Sequence, residues 1–262
     1  MPSRPVGTVT RGTTHPNRLR RMDRWITAAH APALRRADDP VAVDLGYGAA
    51  PWTAVELLHR LRTVAPRARV VGVEIDPARV AAARPYARAG LEFRHGGFEV
   101  PLPGRPVLIR AANVLRQYDE SEVPGVWARL CARLAPEGVL VEGTCDEIGR
   151  RHVWVTLGPE GPRTVTFATR LASLERPSDL AERLPKALIH RNVPGEPVHA
   201  FLRDFDRAWA AAAPYASYGA RQRWMRAVRD LRAGGWPVVD GPKRWRQGEV
   251  TLRWEALAPA VR

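Results

Sequence analysis

The chain has 262 residues and a formal net charge of +14. No apolar run approaches the ~18 residues of a membrane-spanning helix, and two cysteines, Cys131 and Cys145, exclude a disulfide framework or a cysteine-built metal site. The charge is uneven: residues 1–37 carry 8 Arg against one acid, residues 217–262 carry 10 basic residues against 4 acids, and residues 38–144 balance 13 against 13. A basic excess at the two ends points to phosphate or another acidic partner, while the scarcity of Lys beside Arg also reads as codon bias. With no secretory apolar stretch near the N-terminus, a cytoplasmic setting and no membrane partner are expected.

In chain order, residues 16–29 predict a helix with Pro16 in its first turn and Leu19, Met22 and Ile26 on its apolar stripe. V-A-V-D-L-G (41–46) is a short apolar run ending in Gly, as a buried parallel strand should be. Ala54, Leu57, Leu58 and Leu61 give the next helix its inward face, and R-V-V-G-V-E-I (69–75) is a second strand. Strands at 91–95, 106–115 and 138–143 follow, with a helix marked by Val123, Trp127, Leu130 and Leu134 before the last of them. This alternation predicts a doubly wound, mostly parallel α/β sheet. The pattern then changes: 152–157 and 164–169 form a hairpin, a helix follows at 197–213 and another is marked by Trp224, Met225, Val228 and Leu231 and ended by Gly234-Gly235, and strands near 236–240 and 249–257 end the chain.

The most informative residues are D-L-G-Y-G-A-A-P (44–51) and, about 30 residues on, E-I-D-P (74–77). Gly-x-Gly at a strand end lets backbone approach a ligand, and an acid at the neighbouring strand tip accepts ribose hydroxyls. A dinucleotide site wants a third Gly where this chain has Pro51, which removes an amide that a pyrophosphate would use. A nicotinamide cofactor is therefore disfavoured, and a nucleoside without phosphates fits.

These residues resemble motifs I and II of class I S-adenosyl-L-methionine (SAM)-dependent methyltransferases. The resemblance implies a Rossmann-like, seven-stranded fold with an N-terminal helical lid and an α+β insertion after strand five. Its parts would be a basic lid (1–37), a SAM-binding core (38–145), an acceptor-recognising insertion (146–216) and a C-terminal completion of the core (217–262). It also implies that Asp44, Gly46, Tyr47 and Gly48 line the methionine end of SAM, that Glu74 holds the ribose, and that Ile75 packs on adenine. Where many relatives carry an adenine-reading Asp after strand three, this chain has Gly96-Gly97-Phe98-Glu99, so Gly97 and Phe98 take that place, Phe98 also reading as ordinary packing.

A-A-N-V-L-R-Q-Y-D (111–119) is similar to the N-V-L-x-Y stretch of chemotaxis-receptor and several small-molecule methyltransferases, with one extra residue before Tyr118. Asn113, Val114 and Leu115 would then border the sulfonium. Tyr118, Asp119 and His15 are the candidate catalytic groups if the acceptor is a hydroxyl, although Tyr118 and Asp119 also read as a loop and helix cap. Thr14 and Asn17, in R-G-T-T-H-P-N (11–17), are candidate lid contacts to SAM, and the stretch equally reads as the start of a surface helix. The seven His residues lack metal-ligand spacing. For the acceptor, the segment 146–216 and the lack of an RNA module favour a small molecule slightly. The basic ends and nine Trp favour RNA. A SAM- or nucleic-acid-binding protein without catalysis is the reading of another class.

Overall fold

A computed structural model of the protein describes residues 4–259. Its elements in chain order are α1 (Arg20–Arg36), β1 (Val41–Leu45), α2 (Trp52–Arg62), β2 (Arg69–Glu74), α3 (Pro77–Ala83), β3 (Leu91–His95), β4 (Leu108–Ala112), α4 (Val123–Arg133) and β5 (Val139–Cys145). They continue as β6 (Arg151–Gly158), β7 (Gly161–Thr169), α5 (Lys186–Ile189), α6 (Pro197–Ala211), α7 (Ala220–Ala233), α8 (Pro242–Trp245) and β8 (Glu249–Arg253). The fold is Rossmann-like α/β, built on one eight-stranded sheet of order β3-β2-β1-β4-β5-β6-β7-β8.

β1 to β5 pair in parallel, and β5 to β8 extend the sheet antiparallel. The count is thus eight strands where seven were expected. The hairpin 152–169 joins the sheet edge beside β5, so this part of 146–216 is continuous with the sheet. The strand expected near 236–240 is reduced to a single bridge, Val238 to Leu252.

Both faces are covered, which is why the parallel strands are apolar at successive positions. Met22, Trp25, Ile26 and Leu34 of α1 and Leu57, Leu58 and Leu61 of α2 pack on one face with Val70, Val141 and Trp154. On the other, Trp127 and Leu130 of α4, Phe201 and Phe205 of α6 and Trp224 of α7 pack on Ile109, Leu140 and Phe167. Trp154 stacks edge-on with Trp25 at 5.3 Å, which ties the hairpin to the first helix.

α1 begins at Arg20, later than Pro16 suggested, because Asn17 adopts a left-handed φ of 63° that a helix cannot contain. It runs on through Pro32 to Arg36. α3 starts as its sequence dictates, with the Asp76 carboxylate accepting from Ala78 N at 2.8 Å and Pro77 in the first turn. The strand order reverses between β1 and β4, and the crevice beyond the C-terminal ends of those strands is where a fold of this type binds ligands. No helix among the described residues is long and apolar enough to cross a membrane.

Candidate functional site

At the tip of β1 the chain turns through Gly46 and Gly48, whose φ angles are 67° and 87°. A side chain at either would collide: a Cβ on Gly46 would lie 2.8 Å from Val114 Cγ2, and one on Gly48 would lie 2.5 Å from the Gly12 carbonyl. One strand over, Glu74 ends β2 with 2 % exposure. Its carboxylate accepts from Gly48 N at 3.0 Å, Ile75 N at 2.9 Å and Asp76 N at 3.2 Å, and Arg79 lies 3.6 Å away. The glycine turn and the acid are therefore at adjacent strand tips and touch.

A cavity of about 550 Å³ opens at the switch point. The β1 turn, the β4 exit (Ala112, Asn113, Val114), Cys145 at the end of β5 and residues 10–14 form its walls. Thr14 contributes a buried hydroxyl with no hydrogen-bond partner among the described residues, and Arg116, Arg183 and Glu147 also line the cavity. Burial and the neighbouring Arg183 both depress the Arg116 pKa, while Glu182, 3.5 Å from Arg183, opposes them. The walls are held by polar contacts between elements. Asn113, at φ 63°, accepts from Cys145 N at 2.9 Å and donates to Cys145 Sγ at 3.2 Å, and burial pushes the Cys145 thiol up, so it remains a neutral wall group. Arg18 donates to Thr13 O at 2.6 Å and Asp146 O at 3.1 Å.

Asp44 is tied from behind. Arg110, its register partner on β4, is fully buried and donates to Asp44 at 3.1 Å and 2.8 Å, to Thr53 O at 2.8 Å and to Asp23 of α1. Thr53 Oγ1 donates to Asp44 at 2.7 Å. Burial works against the Arg110 charge, but the two carboxylates outweigh it and hold the guanidinium protonated.

Beside this cavity the space between Ile75, Gly97, Phe98 and Val114 is reduced to about 20 Å³. The chain's own residues 6–12 fill it as a strap. Phe98 N donates to Val6 O at 2.8 Å, Ala49 N donates to Gly12 O at 2.8 Å, and the Tyr118 hydroxyl accepts from Thr8 N at 2.6 Å and donates to Thr8 O at 3.2 Å. Gly7, at φ 127°, sits so tightly that a Cβ would be 2.9 Å from the Tyr118 hydroxyl, 3.3 Å from the Phe98 ring and 3.5 Å from Ile75.

The fold therefore gathers Thr14, Asp44, Gly46, Tyr47, Gly48, Asn113 and Val114 around the larger cavity, and Gly46, Glu74, Ile75, Gly97, Phe98, Val114 and Tyr118 around the smaller. Others fall outside. Leu115 is fully buried in the core. Asn17 faces a different groove because its left-handed turn directs it away. Of the candidate catalytic groups, Tyr118 is occupied with the strap, Asp119 is exposed where its backbone N–H donates to Glu122 at 2.9 Å, and His15 is exposed and lines neither cavity. Arg18, Thr53, Arg110, Cys145 and Arg183 were not singled out for the site. Only tertiary pairing across more than 30 residues brings most of them there, and no local spacing signals it.

No family profile matches the chain, and no curated protein matches it by sequence. Among solved structures it is similar to the magnesium protoporphyrin IX methyltransferase of Synechocystis PCC 6803 with bound SAH. The identity is 17%, 48% of this chain and 53% of that one are covered, and the TM-score is 0.37. It is also similar to human N-acetylserotonin methyltransferase in complex with SAM (23% identity, 48% and 37% covered, TM-score 0.32). A third is a probable spermidine synthase from Corynebacterium glutamicum (21% identity, 47% and 47% covered, TM-score 0.34). The chain spans about half the length of these proteins, or less.

Proposed function

We propose that this chain binds SAM across the tips of β1, β2 and β4 and transfers its methyl group to an acceptor that enters the 550 Å³ cavity. The observation that carries the reading is the buried Glu74 carboxylate 3.0 Å from the Gly48 amide, at the switch point of a parallel sheet. SAM, when bound, supplies a methyl group on a cationic sulfur that is already activated for in-line displacement. A carboxylate has about four acceptor sites, so Glu74 retains capacity for a ribose hydroxyl beside its three backbone donors. The free Thr14 hydroxyl and the Arg116–Arg183 pair suit an amino-acid end carrying a carboxylate. Val114 lines both cavities and gives the reacting region an apolar wall.

The protein's contribution to rate is alignment, worth up to ~7–11 kcal/mol in favourable cases. A neutral nitrogen acceptor needs no base, and the carboxylates lining the larger cavity are Asp44, committed to Arg110 and Thr53, and exposed Glu147. Residues 146–216 contribute Glu147 to the cavity lining, which supports that segment as the part that recognises the acceptor. The adenosine half is filled by residues 6–12, so the strap withdraws for the nucleoside to enter.

Calorimetry with SAM and NAD tests the donor. SAM should bind and NAD should not, and Glu74→Gln, which keeps the side chain's shape, should weaken SAM about ten-fold or more for loss of a charge-assisted bond. Unchanged SAM affinity in that variant, or preference for NAD, would overturn the assignment. Transfer of labelled methyl from SAM into fractionated RNA, protein and metabolite pools tests catalysis.

A further inference from the structure

A second, larger recess of about 870 Å³ lies on the face of the molecule covered by α1. It is formed where α1 meets the 148–150 loop, Arg170 at the end of β7, and the 243–249 turn. Eight of its lining residues are cationic and one, Glu249, is acidic. Glu249 is 2 % exposed, paired with Arg244, and its charge also acts on Arg21, which leaves the exposed cations of the groove without an acidic partner among the described residues. Arg20, Arg24, Arg150, Arg170 and Lys243 are exposed and make no ion pair among the described residues. Arg21 is half-buried, and its pKa is lowered by burial, with Glu249 and Asp146 opposing and Arg24 and Arg170 adding repulsion.

Two features separate this groove from an ordinary solvated basic surface. It unites the two charge-rich ends of the sequence: Arg21 donates to Gln247 O at 2.7 Å and Arg24 to Gln247 Oε1 at 3.2 Å. It also shares a wall with the 550 Å³ cavity. Asn17, Ile148 and Gly149 line the groove, while their neighbours Arg18 and Glu147 line the cavity, and a Cβ on Gly149 would lie 2.2 Å from the Arg18 carbonyl. A ligand lying in the groove therefore runs beside residues that line the cavity.

We propose that this groove holds the phosphodiester backbone of a single-stranded nucleic acid and delivers one of its nucleotides to the neighbouring cavity as the methyl acceptor. Guanidinium forks match phosphate oxygens, and several unpaired cations in one channel suit a ligand with regularly repeated charges. A concave recess receives a strand, whereas a flat anionic membrane would not reach Arg21 or Arg60 within it. The purpose assigned to the strand rests on the methyl-transfer reading; its binding does not.

The test is fluorescence anisotropy of the full chain, without SAM, with labelled single-stranded RNA and DNA of one sequence. Affinity for at least one should fall with salt at a slope near −0.7 per phosphate contacted. Charge reversal in the groove (Arg24→Glu, Arg150→Glu and Lys243→Glu together) should weaken it about ten-fold or more. Matched reversal on α7 (Arg221→Glu, Arg229→Glu and Arg232→Glu) should not, and SAM affinity and the far-UV circular dichroism spectrum should be unchanged in the groove variant. Absence of strand binding at low salt would overturn the proposal, as would binding that survives groove reversal, or tighter binding of polyglutamate or phosphatidylserine-containing vesicles. A chain that binds strands but not SAM would sink the methyltransferase reading and leave the groove standing. One that binds SAM but not strands would do the reverse.

Discussion

Arg110 has no exposed surface, and three groups share its guanidinium: Asp23, Asp44 and the Thr53 carbonyl. Truncating one partner of such a cluster leaves the others charged and desolvated, which costs about 3–5 kcal/mol. Arg110→Ala should lose stability on that scale in urea titrations, and a loss below about 1 kcal/mol would mean that the cluster does not hold the β1 turn in place. Asp44 was legible as a motif residue, but its partner was not, because the pairing exists only in the β1–β4 register. Glu142 makes a second case. Burial in β5 raises its pKa from 4.5 to about 8, with the Trp127 indole opposing in part. Its folded-state value lies above the unfolded one, so the folded state binds the proton more tightly. Stability from this group is fully present below about pH 4.5 and declines as pH rises towards 8, by up to about 1.4 kcal/mol per pH unit. Glu142→Gln should flatten that decline in Tm measured from pH 5 to 8, and an identical slope in variant and parent would show that the carboxyl is not the cause. Glu142 lines neither cavity.

At the scale of elements, the βα alternation through β5 was readable because each strand is an apolar run and each helix repeats its apolar residues at i, i+3, i+4. The hairpin was readable as a hairpin, but whether it stood apart or joined the sheet was not. That depends on β5 and β8 offering their free edges, a contact spanning up to 89 residues for Thr164 and Arg253. The strap was less legible still. Residues 6–12 have no periodicity, and their path is set by backbone bonds to Phe98 and Ala49 and by the Tyr118 hydroxyl. Tyr118→Phe removes both bonds to Thr8 while leaving the ring against Phe98 at 5.2 Å. SAM association in stopped flow should then quicken several-fold, since one net hydrogen bond is worth about 0.5–1.5 kcal/mol. An unchanged on-rate would mean that the strap opens without breaking this tether.

The whole molecule carries its excess charge at two sequence ends that the fold brings against each other, and this sets a cost that no single contact reveals. Like charges confined around Arg21, Arg24, Arg170, Lys243 and Arg244 repel across the seam between α1 and the 243–249 turn. The bonds to Gln247 close that seam against the repulsion. Net charge far from zero disfavours the compact state, and the Debye length falls from about 30 Å at 0.01 M to about 8 Å at 0.15 M salt. Adding sodium chloride over that range should therefore raise Tm. The gain should shrink when Arg24→Glu and Lys243→Glu together relieve the repulsion at its centre, because those two cations face the groove. A Tm that falls with salt would show instead that the ion pairs elsewhere, such as Arg36–Glu137 and Arg69–Asp39, dominate the electrostatic balance. Several of those pairs, Arg36–Glu137 and Arg69–Asp39 among them, are exposed, where an ion pair contributes about 0–1 kcal/mol, so the unbalanced seam is expected to win.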